Sequence, residues 1–158
     1  MKQDVLVKIS GLHMMVMNDP SAGEEDNEPI EVITPANYYW KNGKHYIIYD
    51  EVVEGLSGGI KNKIKITGNS SVEIMKSGIT NSHMVFEKDK MNLNFYETPY
   101  GKMQVGTHTH RLEVNVQDDL IDVKIEYGLY VEQQAMADCK IKMQIRPKKD
   151  AGIVFGQD

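Results

Sequence analysis

Apolar and polar residues alternate singly along most of the chain, and turn-forming residues recur every eight to twelve positions. A period of two places one side chain inward and the next outward, as in a strand with one buried face. Val5-Leu6-Val7-Lys8-Ile9, Ile64-Lys65-Ile66, Val72-Glu73-Ile74 and Ile121-Asp122-Val123-Lys124-Ile125-Glu126-Tyr127 all read in this way, and no stretch shows a helical period. The pattern predicts about ten strands, near 4–17, 30–41, 44–53, 60–67, 72–77, 80–88, 91–97, 102–117, 120–131 and 136–146. Asn42-Gly43 is a two-residue hairpin signal, and Thr98-Pro99-Tyr100-Gly101 has Pro and Gly where a type I turn accepts them. Strands joined mainly as hairpins form a meander, and a meander this long removes its exposed edges by closing. The expected fold is therefore all-β: one antiparallel meander barrel of about 8–10 strands spanning 1–147, with a tail over 148–158.

Cross-strand compatibility sets the register more finely, because residues facing one another must suit each other on both faces. A turn at Asp118-Asp119 pairs Val116 with Ile121, Val114 with Val123 and Leu112 with Ile125, while Glu113 meets Lys124 and Arg111 meets Glu126. Continued without interruption, the ladder sets His110 opposite Tyr127 and His108 opposite Leu129, on the apolar face. Ile66 with Val72, Ile64 with Ile74 and Lys65 with Glu73 form a second such hairpin, which turns the stripe Lys61, Lys63, Lys65 outward. For the last pair of strands, charge favours Glu126 opposite Lys142 and Asp122 opposite Arg146 over a register that sets Lys124 against Lys142.

Composition narrows the function. A chain of 158 residues is the length of one domain, and 18 Lys+Arg against 23 Asp+Glu give a net charge of −5, which argues against nucleic acid as a partner. No apolar window is long enough for a membrane-spanning helix. Cys139 has no second cysteine with which to pair, and Asp4 and Lys8 interrupt the apolar run that a signal peptide needs, so a cytoplasmic setting is expected. Residues 18–29, NDPSAGEEDNEP, read as a solvated acidic loop without the spacing of a calcium loop.

The chemistry to weigh lies in Gly106-Thr107-His108-Thr109-His110. Two histidines two residues apart on a strand stand about 6.6–6.8 Å apart at Cα with parallel side chains, a spacing that admits one shared metal. A third ligand is required. Cys139 lies two strands away, about 9.5 Å in backbone terms, and His13, His45 and His83 fall at no useful spacing, so neither metal nor other cofactor is expected. No nucleophile has a base and an orienting group beside it. The interior can draw on Tyr38, Tyr39, Trp40, Tyr46, Tyr49, Phe86, Phe95, Tyr127 and several of the ten methionines.

The run Tyr46-Ile47-Ile48-Tyr49-Asp50-Glu51, the later Lys76-Ser77-Gly78, the turn Thr98-Pro99-Tyr100-Gly101 and Ile125-Glu126-Tyr127-Gly128-Leu129 together resemble the YwiB-like family of small bacterial proteins, over most of residues 30–145. The resemblance implies a calycin-like, lipocalin-like barrel of unknown function in a cytoplasmic setting, and brings no catalytic residue with it. The chain departs from the pattern at the long acidic loop and at Ala36-Asn37, which leaves the pairing of the first strand open. Three functions follow as expectations. In the first the barrel holds a small apolar or amphipathic ligand lined by His108, His110, Tyr127, Leu129 and Cys139. In the second an enzyme uses His108, His110 and Tyr127 as acid, base and orienter. The third is an interaction protein with a filled interior, which would mark its contact at Tyr38, Trp40 or Phe155.

Overall fold

The computed structural model describes residues 3–11, 31–52, 59–148 and 155. Every regular element among them is a strand: β1 (Gln3–Ser10), β2 (Glu31–Lys41), β3 (Lys44–Val52), β4 (Gly59–Thr67), β5 (Ser71–Gly78), β6 (Ser82–Phe86), β7 (Met91–Thr98), β8 (Gly101–Gln117), β9 (Leu120–Val131) and β10 (Gln134–Pro147). Residues 12–17 of the expected first strand, the acidic loop 18–29 and most of the tail lie outside the described residues.

The ten strands form one antiparallel sheet in the order β6-β5-β4-β3-β2-β1-β10-β9-β8-β7. Because β1 pairs with β10 on one side and β2 on the other, the sheet curls until its two edges, β6 and β7, face each other. The result is a nearly closed barrel. Its seam is held at one end by Asn81 and Glu97, which exchange two backbone hydrogen bonds of 2.9 and 2.7 Å. Toward the other end the Thr107 hydroxyl donates to the Val85 carbonyl (2.6 Å), and Asp89 donates to Thr109 (2.8 Å).

The hairpins obey the turn chemistry of the sequence. Asn42 and Gly43 both take positive φ (54° and 73°), the conformation that lets a two-residue turn follow the twist of its strands. Lys65 faces Glu73 as expected and reaches it at 3.5 Å. One turn carries no such signal: Glu132 and Gln133 also take positive φ (48° and 70°) without a glycine or asparagine. That turn, with a bulge between Ala135 and Ala137, fixes the β9–β10 register with Lys124 opposite Lys142 and Glu126 opposite Lys140, and so corrects the pairing inferred from charge. Both candidate registers keep apolar residues together inside. The like charges meet on the exposed outer face, where repulsion is worth well under about 1 kcal/mol and cannot overrule a turn.

Inside, Ile47, Ile64, Ile66, Val72, Phe86, Ile125 and Ile141 have no accessible surface. A side chain in that state touches no void that could admit water, so the middle of the barrel is filled. Of the expected interior aromatics, Tyr38, Tyr49, Phe86 and Tyr127 are buried. Tyr39 and Tyr46 instead stack on each other outside, with centroids 5.2 Å apart, and Phe95 is 54% exposed. The cause at Phe95 is parity. Asn92 pairs with Thr107 and Asn94 with Val105, whose side chains point inward, so Met91, Leu93 and Phe95 point out, with Leu93 and Met91 covering Gly106.

The connections β2–β3, β4–β5, β6–β7 and β8–β9 lie at one end, here the base; those between β1 and β2, β3 and β4, β5 and β6, β7 and β8, and β9 and β10 lie at the other, the mouth. At the base Phe155 packs edge-on against Tyr38 (4.9 Å), and its N–H donates to the Asp118 carbonyl (3.3 Å). Tyr38 and Phe155 therefore cover each other rather than offering a contact surface, while Trp40, half-buried, stacks beside His45 at 4.7 Å.

Candidate functional site

The histidines fall on the opposite face from the one the uninterrupted ladder implied. The β8–β9 ladder runs as expected from Val116 to Arg111 and then slips: Thr109, not His110, faces Tyr127, and His108 faces Gly128. His110 is the extra residue of a β-bulge, and one inserted residue reverses which face every later side chain takes. Thr107 and Thr109 are buried inside, His108 is half-buried, and His110 is exposed on the outer wall. Their rings meet edge to face at 4.8 Å, beside a surface hollow of about 440 Å³ that His110, Glu126, Asp138 and Lys140 help to line. Tyr127, Leu129 and Cys139 do point inward, as expected. Burial raises the Tyr127 hydroxyl far above its ordinary pKa, with the adjacent Cys139 thiol adding to the effect, and burial raises Cys139 as well. His110, Tyr127 and Cys139 share the lining of that hollow with Arg111, Glu126, Asp138 and Lys140, whereas His108 and Leu129 are not part of it. Among the described residues no three histidine, cysteine or carboxylate side chains cluster to hold a metal ion.

A different group of side chains converges at the mouth. Along the inward face, Tyr49 pairs with Asn62, Asn62 with Lys76 and Lys76 with Ser82, a row of polar residues across four adjacent strands. Glu51 stands one inward position beyond Tyr49. Its Oε1 accepts from Lys76 Nζ and from Asn62 Nδ2, both at 3.2 Å. The Lys76 side chain is only 8% exposed and that of Glu51 32%, so the pair sits at the boundary between filled interior and solvent. Burial and, after it, the Glu51 charge push the Tyr49 hydroxyl up to about 12. Tyr96, reaching in from β7, is raised chiefly by burial, with Glu51 contributing. Both phenols are neutral at any physiological pH. Asn62 has no accessible surface, yet its Oδ1 has no hydrogen-bond partner among the described residues. A carboxylate only accepts, so the atom turned to Glu51 is the amide nitrogen and the unmet atom is an acceptor. Apolar walls flank the row: Val105, Leu129 and Val131 point inward at the mouth and keep 5–8% exposure.

The sequence contained a signal for this row that residue-type searching passes over. Extending the Ile64–Ile74 pairing by one inward step sets Asn62 opposite Lys76, two polar residues on a face that is otherwise Ile and Val. The runs Tyr46–Glu51 and Lys76–Gly78, remote in sequence, meet here. Gly78 has φ +134°, and a Cβ on it would overlap the Gly59 carbonyl oxygen, so only glycine lets β4 and β5 approach this closely beside Lys76.

Fold and site together define an all-β protein: a ten-stranded meander barrel, packed through its middle and polar at one mouth. The chain belongs to the family described as Domain of unknown function (DUF1934), whose model matches residues 15–143. It is similar in structure to the ywiB protein from Bacillus subtilis, seen in a crystal structure, with a TM-score of 0.73 and 17% identity over 94% of each chain. That identity carries the fold alone. No curated protein matches the chain.

Proposed function

We propose that the protein is a binding module that receives a small amphipathic molecule at the barrel mouth. Its polar part lies against Asn62, Lys76, Glu51 and Tyr96; its apolar part lies along Val105, Leu129 and Val131, with Tyr127 and Cys139 deeper along the same inner surface. The observation that carries the reading is the buried Asn62, which has an unmet acceptor and stands within a polar row at the end of an aliphatic interior. An unmet buried polar atom costs about 1–3 kcal/mol, and such a cost is sustained where a partner arrives from outside. The filled middle limits the ligand to the mouth.

Native mass spectrometry of the protein purified from its own host tests this. A stoichiometric small molecule should accompany the wild type, persist in His110→Leu on the outer wall, and be lost in Lys76→Met. A cargo lost in His110→Leu and retained in Lys76→Met would move the site to the outer hollow, and no co-purifying mass in any of the three would count against the reading.

A further inference from the structure

We infer that the outer wall formed by β7, β8 and β9 is a docking face for a second copy of this chain, joined about a two-fold axis beside Leu93. The face lies outside the barrel and does not depend on the binding reading above.

The parity of one strand points to it. β10 buries Ile141, Met143 and Ile145 and exposes Lys140 and Lys142, the usual arrangement for a barrel wall. β7 does the reverse. Met91, Leu93 and Phe95 point outward, 44%, 52% and 54% exposed, while Asn92 and Asn94 point inward, and the Asn92 amide nitrogen is buried without an acceptor among the described residues. A shift of β7 by one residue would correct both faces at once. A lone barrel that keeps this register is penalised inside and outside, and the outer penalty is relieved when the apolar ridge is covered.

The ridge continues across the neighbouring strands. A Cβ on Gly106 would meet Leu93 Cδ2 at 2.9 Å, Met91 Sδ at 3.1 Å and Tyr130 Cβ at 3.3 Å, so side chains of β7 and β9 close over bare backbone of β8. The surrounding strands β6, β8 and β9 and the turns 87–90 and 99–100 all lie among the described residues, and none of them covers the ridge.

The chemistry of the ridge suits a copy of itself. Its three side chains stand about 6.6–6.8 Å apart along one face, with Leu93 in the middle. A two-fold axis there sets the Leu93 of each copy together and the Met91 of each against the Phe95 of the other, where thioether and ring attract. Charge fits the same symmetry. Lys90 at the base end and Glu97 at the mouth end are 66% and 51% exposed, and their own partners, Glu87 and Lys102, lie at 3.5 and 3.7 Å. Such long, exposed pairs hold their charges loosely, so antiparallel apposition brings Lys90 to Glu97 at both ends, whereas parallel apposition sets like against like. With Tyr130 and the fully exposed Tyr100 the face offers roughly 500 Å² per copy, the low end of specific interfaces, which corresponds to micromolar association.

Sedimentation velocity of the full-length protein from roughly 1 μM to 1 mM tests this, with a monomer–dimer midpoint expected on the order of 10–100 μM. Leu93→Lys, a change at a half-exposed position, should keep the wild-type circular dichroism and stay monomeric throughout. Leu93→Cys, treated with a short bis-maleimide where wild type is dimeric, should give a covalent dimer; the native Cys139 is buried, and wild type should give none. A wild type that stays monomeric over the whole range would overturn the inference. So would a dimer that survives Leu93→Lys, which places the contact elsewhere, and so would open-ended assemblies, which a two-fold contact does not build. A dimer lost in Leu93→Lys but not captured in Leu93→Cys would overturn the two-fold arrangement.

Discussion

His45 shows how one buried polar side chain makes stability depend on pH. Its Nδ1 lies 2.8 Å from the Tyr38 hydroxyl, under the rings of Trp40 and Tyr38 at the base, and burial pulls its pKa below the ordinary 6.5. Above 6.5 the ring is neutral in both folded and unfolded chains. Below it the unfolded chain takes up a proton that the folded chain refuses, so the contribution of His45 is full above 6.5 and is lost as the pH falls toward the lower native value. Melting temperatures of wild type and His45→Phe, measured from pH 8 to pH 5, check this. The advantage of wild type should shrink steadily below about pH 6.5, because the phenylalanine variant lacks this titration while keeping every other. A constant difference across the range would mean that His45 charges freely in the fold.

The two bulges decide what each strand displays, and they mark where the sequence stopped being legible. Ten strands, nearly all their ends, the Asn42-Gly43 turn and the Lys65–Glu73 pairing follow from alternation and turn chemistry, because a side-chain period of two is a strong constraint wherever one face is buried. A bulge adds one residue without breaking the alternation on either side of it. Thr107-His108-Thr109-His110 alternates in the same way whichever face it presents, so the sequence could not say that the threonines go in and the histidines out. The β9–β10 register was missed for a related reason: Glu132-Gln133 forms a tight turn that its residue types do not announce, whereas the charge pairing that seemed to decide the matter lies on the solvent side. The mouth was half legible, since Asn62 and Lys76 interrupt an apolar face at paired positions. If His110 is the inserted residue, its deletion should restore a regular ladder from Thr109 to Arg111 at a cost of about 1 kcal/mol or less, whereas deletion of the in-register Asn115 should turn the flanking apolar residues outward and abolish cooperative unfolding. Urea unfolding of the two deletion variants separates the cases; equal damage from both would place the irregularity elsewhere.

Across the whole barrel, base and mouth are built for different tasks and are separated by a filled middle. The base is closed by Phe155, which is 5% exposed and packs on Tyr38 inside the ring of strands, anchored by its N–H on Asp118. The mouth keeps its polar row near solvent around Glu51 and Lys76. Between them Ile47, Ile64 and Ile125 touch no void. A disturbance at the base therefore has packed aliphatic side chains, not a channel, as its route to the mouth, and changes at sites far apart with no shared partner add within a few tenths of a kcal/mol. Phe155→Ala should lower unfolding stability by about 3 kcal/mol, the cost of losing a buried phenylalanine ring, through a change in urea midpoint at constant slope. The same variant should bind a decyl amphiphile as tightly as wild type. The double variant Phe155→Ala/Lys76→Met should show a stability loss equal to the sum of the two single losses. A Phe155→Ala protein that kept its stability would mean the tail does no more than rest on the base. One that lost ligand affinity in step with stability would mean that the interior transmits strain from end to end, and that the plug at the base governs the mouth.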